Sequence, residues 1–128
     1  YLARDPEEKK VNRMRSVNSG GDLAITHFET LRIWPDVSVA LIAAKPQTGR
    51  THQIRVHLKE LGLPILGDST YGRFNTASRL LLHARSLTFR HPLRDTEVVL
   101  RSPVPQDYQA CLHKILGERG LDLEGLDF

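Results

Sequence analysis

The chain has 128 residues, 40% of them hydrophobic, which is enough to bury one core but not two full domains. Eighteen Lys and Arg stand against 15 Asp and Glu, a formal net charge of +3 that permits nucleic acid as a partner without requiring it. A single cysteine, Cys111, excludes an internal disulfide framework, and no apolar run approaches the roughly 20 residues of a membrane helix, so a reducing, cytoplasmic setting without a membrane partner is expected.

In chain order, the opening "YLARDPEEKK" shows no signal-peptide pattern and no initiator Met, as expected of a processed chain or a segment from within a longer protein. Residues 5–21 are polar, lack an apolar period and end in a Ser-Gly-Gly turn signal, which predicts an exposed loop or hairpin arm. "LAITHFETLRIW" and "VSVALIAAKP", parted at Pro35 and Asp36, predict an antiparallel strand pair, with Val37 to Ala44 buried on both faces. A helix follows, with Thr51 as N-cap, Ile54, Leu58 and Leu61 on the core side, and Gly62 as left-handed C-terminal cap. On that helix His52, Arg55 and Lys59 share another side, so the cations are expected to face away from the core.

"LPILGDSTYG" reads as a short strand and turn, and "RLLLHARSLTFRHP" with "TEVVLRSP" as two or three further strands. Pro103 and Pro105 set off a last helix, Gln106 to Leu116, with Tyr108, Leu112 and Ile115 near one face. The closing residues are acidic (Glu118, Asp122, Glu124, Asp127) and weakly periodic, as a mobile tail would be. The expected fold class is α/β (α+β), a mainly antiparallel mixed sheet with flanking helices.

Charge is unevenly spread. From Arg73 to Arg94 there are five arginines, Arg73, Arg79, Arg85, Arg90 and Arg94, and no acidic residue, which makes this stretch a candidate anion-binding surface. Gly49-Arg50-Thr51 at the mouth of the first helix could cradle a phosphate, but the spacing of a nucleotide-binding P-loop is absent. Arg55 stands near His52 and Lys59, and three such groups on one face call for an anion or a carboxylate among them. For Arg50 and Arg55 alike, the competing reading is an ordinary solvated surface arginine.

His52 and His57 are five apart rather than four, which argues against a helical metal pair. His83 and His91 read as hydrogen-bonded strand residues or polar groups facing RNA, and Cys111 as packed core. Asp68 and Tyr71 form a tempting acid and phenol pair, yet an Asp at a turn commonly bonds its own backbone.

"TGRTHQIRVHL", "LGLPILGDSTYG" and "RLLLHARSLTFRHP" together resemble, in order and spacing, the successive landmarks of the RluA-type pseudouridine synthases. "ARDPEEKKVNRM" followed by "AITHFETL" is similar to the segment that precedes them, so the resemblance covers about residues 3–107. It implies isomerisation of uridine to pseudouridine in structured ribosomal or transfer RNA, with no cofactor or metal. The uridine is flipped out, an aspartate attacks the nucleoside, the N1 to C1′ bond breaks, and the rotated uracil rejoins through C5.

The family's catalytic His-Arg-Leu-Asp motif and its active-site tyrosine strand both lie upstream of these landmarks, and neither is present here. The resemblance therefore implies that residues 1–117 are the C-terminal part of a catalytic domain, followed by an acidic tail over 118–128, and that the chain alone is inactive. It makes Arg55 the arginine that orients the absent aspartate, and Leu81 or Leu82 the apolar floor under the target base. Arg50, His52, Lys59, Arg73, Arg79 and Arg85 are the candidate RNA contacts, and Asp68 and Tyr71 are architectural. A non-catalytic RNA-binding module is the alternative, and a small hydrolase built on Asp68 and His83 a third. Strands removed from a sheet would leave open edges that invite self-association.

Overall fold

The computed structural model describes residues 1–6, 13–119, 123, 125 and 126. The chain divides into two compact units, Tyr1–Leu80 and Leu81–Phe128.

In the first unit, β1 (Leu2–Arg4) and β2 (Met14–Ser16) pair antiparallel, as expected of a hairpin arm; residues 7–12 of that stretch lie outside the described residues. β3 (Thr26–Trp34) and β4 (Val39–Pro46) form the second antiparallel pair, joined by a 3-10 turn at Pro35–Val37. Their register shifts between Thr30 and Arg32, a bulge that bends the ladder. The apolar run from Val37 to Ala44 is not buried on both faces: Ala43 alone reaches the core, and the rest is half-buried or exposed. An apolar strand shows that it can be covered, but the covering surface has to come from somewhere else in the fold.

Helix α1 spans Gln53–Glu60. Thr51 is not its cap. His52 occupies that position in the left-handed region, φ 55°, and its side chain makes no capping bond. The Gln53 N–H donates to the Arg50 carbonyl at 3.0 Å, and the Gln53 side-chain oxygen in return accepts the Arg50 N–H at 3.0 Å and the Thr48 hydroxyl at 2.8 Å, which fixes the loop that leads into the helix. The Gln53 amide nitrogen donates to the Ile25 carbonyl and the Thr26 hydroxyl, both at 2.9 Å, tying the start of α1 to β3. With its polar atoms paired, Gln53 is buried, although the expected core side was Ile54, Leu58 and Leu61. The inward stripe is accordingly Gln53, Val56 and Leu58, while Ile54 is half-buried and Leu61 lies past the helix in solvent.

The C-terminal end follows the expectation for Gly62. With φ 75° it closes the helix: its N–H bonds the Lys59 carbonyl and the Leu63 N–H bonds that of Leu58. Residues 63–72 then run as turns and contain no strand; Pro64 brings no N–H to a ladder, and Asp68 supplies the turn bonds. Leu2, Val56 and Tyr71 form the core of this unit, with Met14 and Ala24 packed against them.

In the second unit, β5 (Ser86–Arg90) and β6 (Glu97–Arg101) form the third antiparallel pair. Its turn is held by His91, whose Nδ1 accepts the N–H groups of Leu93 and Arg94. Helix α2 spans Gln106–Leu116, the expected range, and buries Cys111 and Leu116. Tyr108, Leu112 and Ile115 are half-buried. Antiparallel pairs with two helices make a mixed α/β chain, and among the described residues the strands form three two-stranded ladders. Most of the acidic tail beyond Arg119 lies outside the described residues.

Candidate active site

Arg55 does not face away from the core. From the middle of α1 its guanidinium reaches across to the turn that follows the helix and meets Asp68 through two parallel bonds, Nε to Oδ2 at 2.9 Å and Nη2 to Oδ1 at 2.8 Å. The Asp68 side chain is fully buried, and that of Arg55 is 17% exposed. Oδ1 of Asp68 also accepts the backbone N–H groups of Thr70 and Tyr71, each at 3.0 Å, so the carboxylate shapes its own turn as well as holding the arginine. A carboxylate with both oxygens engaged in this way serves as an anchor and has little freedom to attack.

Burial works to raise the Asp68 pKa, but the Arg55 hydrogen bond, the two backbone N–H groups and the arginine charge outweigh it, and the carboxyl titrates below its ordinary value. The Arg55 pKa is raised, chiefly by the same hydrogen bond acting against burial. The pair is ionised at neutral pH.

Tyr71 stands beside this pair, with the Arg55 Cζ 5.0 Å from its ring centroid and the Arg13 Cζ at 5.6 Å. The Tyr71 hydroxyl accepts the Met14 N–H at 2.8 Å and lies 2.9 Å from His52 Nδ1. The Tyr71 hydroxyl thus bridges the Met14 N–H and the His52 ring nitrogen. Burial, then the Arg55 charge, lowers the His52 pKa against the pull of Asp68, in keeping with a neutral ring. His52, with its backbone in the left-handed region, sets its ring edge-on to Tyr71 at a centroid distance of 5.6 Å.

The other candidate residues are distributed as follows. Arg50 is exposed, and its Nε donates to the Leu23 carbonyl at 3.0 Å. Lys59, also exposed, pairs with Glu60 at 3.2 Å. Arg73 is exposed in the turn region, and Arg79 donates to the Leu80 carbonyl at 3.0 Å. Leu81, Leu82 and Arg85 belong to the second unit, where both leucines are half-buried and Arg85 donates to the Ser102 carbonyl at 2.8 Å. His83 is in that unit too, 3.3 Å from the same carbonyl and edge-on to Tyr108.

Sequence reasoning missed two features: the partner of Arg55 inside the chain and the tether made by Gln53. The only local hint of the first was an Asp placed in a turn shortly after a helix that carries a cation.

Residues 1–60 match the family model of RNA pseudouridylate synthase. A Bacillus subtilis RNA pseudouridine synthase, YhcT, is 42% identical over 94 residues, covering 73% of this chain and 31% of its own length. Ribosomal large subunit pseudouridine synthase D of Neisseria meningitidis is 34% identical over 134 residues, covering 94% of this chain and 35% of its own. Among solved structures, human RNA pseudouridylate synthase domain containing 1 superposes with a TM-score of 0.66 at 31% identity, covering 81% of this chain and 46% of that one. The chain belongs to the RNA pseudouridine synthase family, the RluA type that its landmarks resemble. It spans about a third of the length of the curated relatives it matches. Among the described residues, no helix is long and apolar enough to cross a membrane.

Proposed function

We propose that the chain is the C-terminal part of a pseudouridine synthase catalytic domain acting on uridine in structured ribosomal or transfer RNA, with the nucleophilic aspartate supplied by a segment before Tyr1. The observation that carries this reading is the state of Arg55. Asp68 occupies its Nε and Nη2 edge, while Nη1 has no hydrogen-bond partner among the described residues. A guanidinium has a second fork, formed by Nη1 and the outer N–H of Nη2, and that fork suits a second carboxylate.

In this reading Arg55 holds the attacking carboxylate ionised and aimed at the nucleoside. The N1 to C1′ bond breaks, the freed uracil turns, and C5 bonds to C1′. The C5 proton then leaves to solvent as N1 gains one, so the product is an isomer of the substrate. Arg55 can orient a carboxylate but cannot replace one, and 128 residues without the nucleophile should give no turnover.

Leu81 and Leu82 are the proposed floor under the flipped base, and Arg50, His52, Lys59, Arg73, Arg79 and Arg85 the proposed contacts to RNA. Arg50 donates to a backbone carbonyl through Nε, which orients its guanidinium and leaves its other N–H groups for phosphate.

Tritium release from RNA labelled at uridine C5 tests the proposal, comparing this chain with one extended upstream in its own reading frame. Release by the longer chain alone is the expected result. Release by the short chain would refute an upstream nucleophile, and silence from both would favour a non-catalytic RNA-binding module.

A further inference from the structure

Arg55 is held from two directions. Asp68 fixes one edge of the guanidinium through two bonds of 2.9 and 2.8 Å, and the Tyr71 ring restricts the guanidinium plane, with Cζ 5.0 Å from the ring centroid. The two holders are themselves fixed. Asp68 is locked by the N–H groups of Thr70 and Tyr71, each at 3.0 Å. Tyr71 is locked at its far end by the Met14 N–H at 2.8 Å and His52 Nδ1 at 2.9 Å. The anchors come from β2, the residue before α1 and the turn at 68–71, so the guanidinium is set by three separate segments of the chain.

A role limited to supplying positive charge would not need this arrangement. A lysine ammonium is a point charge on a flexible stem, whereas a guanidinium gripped along one edge presents its other edge in a single direction. Reaction geometry is sensitive to such placement, and a shift of about 1 Å can cost about a hundredfold in rate.

We infer that Asp68 and Tyr71 are positioning residues that aim the second fork of Arg55, so that the carboxylate bound there is presented to the nucleoside in one orientation. The inference rests on the reading of Arg55 given above. It assigns a purpose in catalysis to a turn that would otherwise be scaffold.

The test uses the full-length protein and four variants, Arg55→Ala, Arg55→Lys, Asp68→Asn and the double variant Arg55→Lys with Asp68→Asn, assayed at a temperature where circular dichroism shows each folded. Single-turnover tritium release reports the chemical step, and filter binding reports RNA affinity. Asp68→Asn should lower the chemical rate by about a hundredfold with RNA affinity unchanged, a split that a loss of overall structure would not produce. Arg55→Lys retains the charge and a partner for Asp68, so it should fold and still lose rate, because an ammonium has no fork to aim. Adding Asp68→Asn to Arg55→Lys should then cost little more.

Wild-type turnover in Arg55→Lys would overturn the inference, since a point charge would suffice. So would a folded, fully active Asp68→Asn, or a full additional loss from Asp68→Asn in the lysine background. Normal turnover in Arg55→Ala would sink the reading of Arg55 and this inference together. An inactive Arg55→Ala beside an active Asp68→Asn would remove the positioning role alone. If Asp68→Asn fails to fold, Arg55→Lys decides.

Discussion

Asp68→Asn should destabilise the first unit by about 3 kcal/mol. The variant removes one partner of an ion pair whose carboxylate is fully buried, and breaking such a pair typically costs about 3–5 kcal/mol because the remaining charge is left without compensation. The 17% exposure of the Arg55 side chain lets water reach the stranded guanidinium, which places the effect at the low end. Asparagine can still accept the Thr70 and Tyr71 N–H groups through its oxygen, so the loss is confined to the charge and to the bond with Arg55 Nε, which would face an NH2 group. At roughly 3 °C per kcal/mol for a chain of this size, the melting temperature should fall by about 10 °C. Trp34 is the only tryptophan, lies buried in β3 of the same unit, and reports the transition by fluorescence during urea unfolding. The expected record is a lower midpoint with an unchanged slope. Arg55→Ala should cost a similar amount, and the double variant clearly less than the sum. A loss below about 1 kcal/mol for Asp68→Asn, or strict additivity, would mean that the pair is open in solution and does not hold the guanidinium.

Tyr71→Phe should cost about 1–2 kcal/mol, since it strands the Met14 N–H and His52 Nδ1, and hydrogen exchange at the Met14 amide should rise with it. Gly67→Ala should cost about 3 kcal/mol or more, because φ is 77° there and the added Cβ would run into the Arg79 carbonyl; thermal melting checks it. Stability should fall on acidification in two stages. The folded pKa values of His52 and His57 are both lowered by burial, so their contribution is present above the ordinary 6.5 and is lost as pH drops below that value; His52→Gln should shrink this stage and leave the part due to His57. Asp68 is also lowered, so its contribution is complete above its ordinary 3.8 and is lost as pH falls below it; Asp68→Asn should remove this second stage from a pH series of urea midpoints.

The parts of the fold legible in the sequence were those written in local chemistry. Strand-forming residues on either side of Pro35 and Asp36 gave the β3 and β4 hairpin, Pro103 and Pro105 set off α2, and Gly62 closed α1. Burial was less legible, because it depends on what packs against a segment. Val37 to Ala44 and Leu61 are apolar enough for a core, yet most of the former and all of the latter stay outside it, while Gln53, a polar residue, goes in by pairing its amide atoms. The site was half legible. Arg55 could be picked out by helix position and by resemblance, and Asp68 could be read as a residue that bonds its own turn. Their pairing could not, since nothing local links positions 13 apart across a helix end and a turn.

That pairing bears on why the site is built from charges at all. A buried ion pair is a poor source of stability, because desolvation consumes much of what attraction returns, and apolar side chains of similar volume often do as well or better. Tyr71, Val56 and Leu2 already form a core beside it, so an apolar pair at 55 and 68 would extend a surface that exists. What an apolar pair cannot do is fix the direction of a cation. Asp68 is held by backbone N–H groups, Arg55 is held by Asp68 and Tyr71, and Tyr71 is held by β2 and His52, so each constraint ends at the Arg55 guanidinium, whose Nη1 has no hydrogen-bond partner among the described residues. In stability terms the arrangement is close to neutral, and its gain is an oriented charge.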